Sequence, residues 1–279
     1  MTDPRLVFLD VDGTLLDHSQ NLAPSAATAI RTARAAGHQI YLCTGRSRRE
    51  IPATVTSIGV DGVISAGGGF VERDGELLFA HSMPADVKQE LEVFFETRGL
   101  EYTMQGYTDV YPSHGLFARV APLFEGDMAT ARDAVASADM RQLERRMAYR
   151  GPAPDTGIAK ATFFGTHPGS FSLVRDGLGD RFHVITGTIP YLGSAGGEVS
   201  PHGVNKGAAI TELAEALNMP LDRTIGIGDS HNDLEMLQVT GIGIAMGNAD
   251  DVVKSHADET TLSVNDDGVW HAFRRHGLI

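Results

Sequence analysis

LVFLDVDGTLLD, residues 6–17, decides the fold class. Four apolar residues, Leu6 to Leu9, run directly into Asp10, followed by Val11, Asp12, Gly13 and Thr14. Such a run reads as a strand buried on both faces, the kind found in parallel sheets. Asp10 ends the strand, and parallel α/β sheets gather functional groups at the carboxyl ends of their strands. Alternation turns Val11 away and brings Asp12 back to the side of Asp10. Two carboxylates this close repel, so one pKa is expected to rise. One group then stays ionised as a nucleophile while the other keeps a proton as general acid. Gly13 permits a sharp turn with the backbone close to a ligand. The same stretch also suits an Asx-turn or a helix cap, and it resembles the start of a calcium loop. An EF-hand counted from Asp10 needs glutamate at its twelfth position. Asn21 stands there, after a strand and not a helix, so calcium binding is excluded.

Outward from this stretch, strands and helices alternate. Residues 24–36 read as a helix with Pro24 near its start and Gly37 past its end. Residues 39–43 form a second strand, 48–58 a helix and 62–65 a third strand, which implies a doubly wound α/β sheet. Asp74-Gly75, between two short apolar runs, signals a hairpin. The rhythm then changes. A helix at 85–98, strands near 100–105 and 108–111, a helix near 126–139, a strand at 158–165, a helix near 169–178 and strands at 181–186 and 188–192 suggest an α+β module. From 203 the first rhythm returns, with helices at 206–217, 232–239 and 249–255 and strands at 224–228 and 242–245. The expected organisation is a Rossmann-like core from 1–81 and 188–279, with an inserted α+β domain at 82–187. The glycine runs at 67–69 and within 194–198 mark turns or hinges.

The chain has 279 residues, a formal charge of −13 and one cysteine, Cys43. The acidic balance disfavours nucleic acid and anionic membranes as partners. A single cysteine permits no internal disulfide and fits a reducing compartment. No window is apolar for the roughly 18 residues of a membrane span, and the N-terminus lacks the pattern of a secretory signal, so a cytoplasmic location is expected. Basic residues are mostly arginine; the lysines are Lys88, Lys160, Lys206 and Lys254.

Three further segments carry chemistry. Thr44-Gly45-Arg46 follows the second strand, where a hydroxyl, free backbone N–H groups and a cationic fork suit a phosphate, although a capped turn explains them as well. Lys206 stands at a helix start, against the helix dipole, which argues for a nearby anion. In GDSHNDLEM, 228–236, Asp229 ends a strand, Asp233 follows four residues on, and Asn232 lies between them. Two more acids beside Asp10 require a cation, and oxygen ligands near a phosphate point to Mg²⁺.

These segments, in this order, resemble the haloacid dehalogenase superfamily of phosphotransferases, and the inserted module resembles the type IIB cap of its Cof-like phosphatases. The resemblance implies Asp10 as nucleophile and Asp12 as acid and base. It implies Thr44 and Lys206, with Gly45, Arg46 and Asn232, around the phosphate. Mg²⁺ would be held by Asp10, the Asp12 carbonyl, Asp229 and Asp233. The implied activity is a Mg²⁺-dependent phosphatase of a small phosphorylated metabolite, best a sugar phosphate. Pyridoxal phosphate, FMN or a phosphohexomutase reaction are alternatives. Tyr107, Tyr111, His114, Arg119 and Lys160 are candidate leaving-group contacts in the cap. One departure stands out: Gly67-Gly68-Gly69 replaces the Asn-Gly-Ala usual in that group, which suggests a mobile hinge. Two readings from other classes are a phospho-receiver module and a degenerate binding protein. The first lacks a separate GDxxND strand and a cap; the second is disfavoured because every catalytic position is present.

Overall fold

A computed structural model describes residues 3–128, 144–186 and 193–279. The chain divides into two compact units, Met1–His81 with Gly203–Ile279, and Ser82–His202.

The chain opens with β1 (Leu6–Leu9), α1 (Pro24–Ala35), β2 (Gln39–Cys43), α2 (Ala53–Thr56), β3 (Gly62–Ser65), β4 (Phe70–Arg73) and β5 (Glu76–Ala80). β1, β2 and β3 pair in parallel, and β4 and β5 add an antiparallel hairpin. Asp74 and Gly75 both take positive φ, 51° and 84°, the backbone of a two-residue hairpin turn. The helix expected over 48–58 is broken. A 3₁₀ turn, Arg48–Glu50, precedes α2, with Ile51 extended before Pro52. A residue ahead of proline is pushed out of the helical region.

The inserted unit holds α3 (Ala85–Thr97), β6 (Glu101–Gly106), β7 (Val110–Pro112), α4 (Leu116–Met128), β8 (Ile158–Phe164), α5 (Ser170–Leu178), β9 (Phe182–Thr186) and β10 (Gly196–Pro201). Its five strands form one antiparallel sheet in the order β7-β6-β8-β10-β9. α3 and α5 cover one face, with Leu91, Phe95, Val174 and Leu178 packed on Tyr102, Met104, Phe163 and Val199. α4 begins ten residues before the helix expected near 126–139, the rest of which lies outside the described residues, as does the strand expected at 188–192. Residues 194–198, expected to be a turn or hinge, instead lead into β10. A Cβ on Gly197 would lie 2.6 Å from the Ile185 carbonyl, so glycine here serves strand packing. With β10 in this sheet, the second boundary falls at His202/Gly203 and not at 187/188.

The chain returns with α6 (Lys206–Ala216), β11 (Thr224–Gly228), α7 (Leu234–Val239), β12 (Ile242–Ala245), α8 (Asp251–Ser255), β13 (Glu259–Thr260) and α9 (Gly268–Arg275). The sheet of the first unit runs β13-β12-β11-β1-β2-β3-β4-β5. β1 lies between β11 and β2, with Leu9 level with both Ile227 and Leu42. All four β1 residues are fully buried. Val7 and Leu9 join Ile30, Ala33 and Phe273 on one face. Leu6 and Phe8 join Ile210, Leu213 and Met236 on the other. The topology thus brings the ends of β1, β2 and β11 to adjacent positions on one sheet edge.

Candidate active site

Asp10 continues β1 by one residue, its N–H donating to the Ile227 carbonyl at 3.0 Å. Its side chain is 5% exposed and meets Lys206, the first residue of α6. Asn205 caps that helix, its side chain accepting from the Ala208 N–H at 2.8 Å. The Lys206 ammonium, 1% exposed, donates to Asp10 Oδ1 at 2.6 Å and to Asp233 Oδ1 at 2.5 Å. Burial alone would lower the lysine pKa, but Asp10 and Asp233 outweigh it and hold the ammonium above its ordinary range. The anion expected beside Lys206 is therefore this pair of carboxylates.

Gly13 takes φ +87°, and a Cβ there would lie 2.1 Å from Asp229 Oδ2. The close approach anticipated for this glycine is to a carboxylate of the site itself. Asp229 accepts from the Thr14 hydroxyl at 3.2 Å and from Asn248 Nδ2 at 3.3 Å. Asn248 also donates to the Gly13 carbonyl at 2.9 Å and accepts from the Val264 N–H at 2.9 Å. It ties the turn after β1 to the loop after β12. Sequence reading missed it, although it lies just past the carboxyl end of a parallel strand. Asp233 Oδ2 accepts the N–H groups of Asp229 and Ser230, both at 3.0 Å. Asp233 is thus a brace for the loop and for Lys206. Asn232, also buried, accepts from the Ser230 hydroxyl at 2.8 Å.

Carboxylate oxygens of Asp10, Asp229 and Asp233 lie within 4.8 Å of one another. Such an all-oxygen set, with Asp10 and Asp233 buried and Asp229 half-buried, fits a hard divalent cation such as Mg²⁺. The Asp12 side chain is outside this cluster. Burial, then repulsion from Asp233, raises the Asp10 carboxyl well above its ordinary value, and Lys206 offsets only part of this. Burial, then Asp233, pushes Asp229 up to about 7. Between an unfolded carboxyl pKa of about 4 and these raised values, the folded protein binds more protons than the unfolded chain. Metal-free stability therefore falls as pH rises through that window. A cation held by the same oxygens removes the penalty but competes with protons at its lower end. Stabilisation by Mg²⁺ is expected to be small near pH 5 and to grow toward pH 8. Thermal melts in Mg²⁺ and in EDTA read this directly, and a pH-independent difference contradicts ligation by Asp229.

Thr44 is buried at the end of β2, its hydroxyl accepting the Arg46 N–H at 3.1 Å, with Gly45 half-buried between them. Arg46 does not leave its fork open to a phosphate. Nε and Nη2 each reach an Asp12 oxygen at 2.6 Å, Nη2 also donates to Gln20 Oε1, and Nη1 to the Glu50 carbonyl at 2.9 Å. This bidentate grip is a strong, orienting one. Burial would raise the Asp12 pKa, but the hydrogen bond and charge of Arg46 bring it below its ordinary value. The pair thus splits in the opposite sense to expectation: without a cation Asp10 is the raised group and Asp12 the lowered one. Arg46→Ala is expected to release Asp12 and let its pKa rise, so the alkaline limb of the kcat/KM pH profile, on which the Asp12 proton is lost, moves to higher pH. An unmoved profile contradicts control of Asp12 by Arg46.

The three glycines at 67–69 make a packing contact instead of a free hinge. Gly68 has φ +106°, and a Cβ would lie 2.2 Å from the Asn205 carbonyl oxygen, next to Lys206. Gly68→Ala is expected to cost about 1–3 kcal/mol and to lower kcat by shifting the start of α6. Denaturant melts and steady-state kinetics check both effects.

A family model for haloacid dehalogenase-like hydrolases matches residues 7–273. This chain belongs to that family. Phosphatase YwpJ of Bacillus subtilis (strain 168) is 27% identical over 97% of this hydrolase and 99% of its own length. HMP-PP phosphatase of Escherichia coli O157:H7 is 28% identical over 88% of this hydrolase and 85% of its own length. Among solved structures, a haloacid dehalogenase-like hydrolase from B. subtilis has a TM-score of 0.79 at 23% identity, covering 97% of this chain and 99% of that one. The subclass IIB sugar phosphatase BT4131 has a TM-score of 0.76 at 22% identity, covering 99% and 100%. Family and fold make the chain a hydrolase of the phosphatase kind, of the Cof-like group, with a parallel-sheet core and an antiparallel-sheet cap region. Among the described residues no helix is long and apolar enough to cross a membrane.

Proposed function

We propose that this enzyme hydrolyses a small phosphorylated metabolite, best a sugar phosphate, through a covalent phosphate on Asp10 with Mg²⁺ as cofactor. The observation that carries the reading is the convergence of Asp10, Asp229 and Asp233, with Asp10 and Asp233 sharing the Lys206 ammonium. An Asp10 oxygen attacks phosphorus, the leaving-group oxygen departs with a proton from Asp12, and the acyl phosphate forms. Asp12 then takes a proton from water as it attacks phosphorus, which returns Asp10 as a carboxylate and frees phosphate. Lys206 offsets the charge of Asp10 and of the phosphoryl oxygens, and Thr44 and Asn232 support them. Arg46 aims Asp12. Asp10, the Asp12 carbonyl and Asp229, braced by Asp233, would hold Mg²⁺, which when bound supplies charge neutralisation to the transferring group.

The inserted unit, in this reading, selects the leaving group. On β6, Tyr102 and Met104 face the apolar cluster, so Thr103 and Gln105 face the other way. Register places Thr162 beside Thr103, Glu198 beside Thr162, and Lys160 beside Gln105. These side chains are all buried, Lys160 is paired with Glu198 at 2.7 Å, and Gln105 Oε1 has no partner. Neutral overall and without an aromatic ring among those five, the row favours a polyhydroxylated leaving group over a flat heteroaromatic one. The test is a phosphatase screen over sugar phosphates, pyridoxal phosphate and FMN, in Mg²⁺ and in EDTA. EDTA-sensitive turnover highest on sugar phosphates supports the reading; preference for the ring cofactors overturns the substrate class alone, and turnover indifferent to EDTA overturns the metal.

A further inference from the structure

The inserted unit holds a cavity of about 460 Å³ whose lining residues all fall within Ser82–His202. That size lies in the range of small-molecule sites. It lies at the β7-β6 edge of the sheet, where Tyr102 and Tyr111, which line it, also pack with the apolar cluster beneath α3. None of Thr103, Gln105, Lys160, Thr162 and Glu198 lines it. The cavity is therefore not the surface assigned above to the leaving group.

Its walls combine rings and carboxylates. Tyr102, Tyr111 and Tyr149 line it, with the His114 ring tilted against Tyr149 at 5.5 Å between centroids. Glu92, Glu96 and Glu101 supply the charge, and no lysine or arginine is among the described lining residues. Each carboxylate is already held in place. Glu92 pairs with Lys88 at 3.2 Å, and Lys88 also donates to the Ala153 carbonyl at 3.0 Å and lies 3.6 Å from Asp155, so its charge is spent on these two acids. Glu96 accepts from the Tyr102 hydroxyl at 3.1 Å. Glu101 accepts from the Ser113 hydroxyl at 2.5 Å and the Gly115 N–H at 3.0 Å. Glu96 and Glu101 therefore leave the cavity negative, with little reorganisation needed on binding. Electron-rich ring faces beside fixed carboxylates attract a cation with an apolar body, and they prefer it to a strongly hydrated inorganic ion. A phosphorylated molecule is repelled by the same charges.

We propose that this cavity binds a small organic ammonium ion, a second ligand separate from the phosphorylated substrate. Isothermal titration of the full-length protein with spermidine and with choline, at low ionic strength, tests it. Saturable binding is expected for both. Exposed Glu96 and Tyr149 can be changed with little effect on the fold, and Glu96→Gln and Tyr149→Ala are each expected to weaken binding about tenfold. Tyr149→Phe keeps the ring and should retain binding, and added salt should weaken it. Melting temperature and phosphatase activity of the variants verify that they fold. Absence of saturable heat for both amines up to about 10 mM, binding indifferent to Glu96→Gln and Tyr149→Ala, or displacement by Mg²⁺ as effectively as by a second amine would each overturn the proposal. Because the readout is amine binding, it stands or falls independently of the phosphatase reading.

Discussion

Asp10→Asn is expected to remove turnover, lowering kcat by about 10,000-fold or more. The substitution keeps the shape of the side chain and its place at the end of β1, so the loss isolates the nucleophile from the fold. An amide oxygen is too weak a nucleophile to open a phosphate ester. Substrate binding should survive, because Thr44 and Lys206 remain. The stability effect has a definite sign. The Asp10 carboxyl is raised in the folded protein by burial and by Asp233, so its charge is a burden there at neutral pH when no cation is bound. A neutral amide relieves that burden, so metal-free Asp10→Asn is expected to melt at or above the temperature of the unchanged enzyme at pH 8, and to gain less from Mg²⁺. A variant that turns over at more than a few per cent of the original rate contradicts the assignment.

Lys206→Met is expected to be the most damaging substitution for the fold. Methionine preserves much of the volume but leaves Asp10 and Asp233 facing each other without their shared cation. Both carboxylates are buried, with side chains at 5% and 0% exposure. Removing one member of a buried charge set costs about 3–5 kcal/mol, because the remaining charges are left uncompensated. Asp233 also carries the N–H groups of Asp229 and Ser230, so the disturbance reaches the third acid. Turnover is expected to fall about 100- to 1,000-fold through lost transition-state stabilisation. Mg²⁺ should restore part of the stability and little of the rate, since it replaces the charge but not its position. Denaturant titrations in Mg²⁺ and EDTA, with kcat measured alongside, separate the two effects. A variant as stable as the original in EDTA contradicts a structural role for the Lys206 charge.

The core of the site was legible because its residues stand where strand ends must put them. Asp10, Thr44 and Asp229 each close an apolar run, and parallel pairing alone makes them neighbours. Lys206 was legible as a cation at the wrong end of a helix. Of the four lysines in an arginine-rich chain, Lys88, Lys160 and Lys206 are buried, each against a carboxylate. A compact ammonium suits such positions better than a forked guanidinium. What escaped reading depends on contacts between distant segments. Arg46 looked like a phosphate ligand because its type fits one; only the fold shows Asp12 and Gln20 filling its fork. Asn248 makes side-chain bonds to three other segments, at Gly13, Asp229 and Val264, and no local pattern announces that. The glycines at 67–69 and 196–197 read as hinges because glycine permits both freedom and close approach. Gly68 and Gly197 prove to be close approaches.

The central claim is that phosphate passes through Asp10. The direct measurement mixes enzyme, Mg²⁺ and a reactive aryl phosphate, quenches in acid within the first turnover, reduces with borohydride and maps the peptides by mass spectrometry. Asp12→Asn, which slows breakdown of the intermediate, raises the yield. The account predicts conversion of Asp10 to homoserine, the reduction product of an aspartyl phosphate, and its absence when substrate is omitted. Modification at another residue, or an unmodified Asp10 peptide while phosphate is being released, contradicts it.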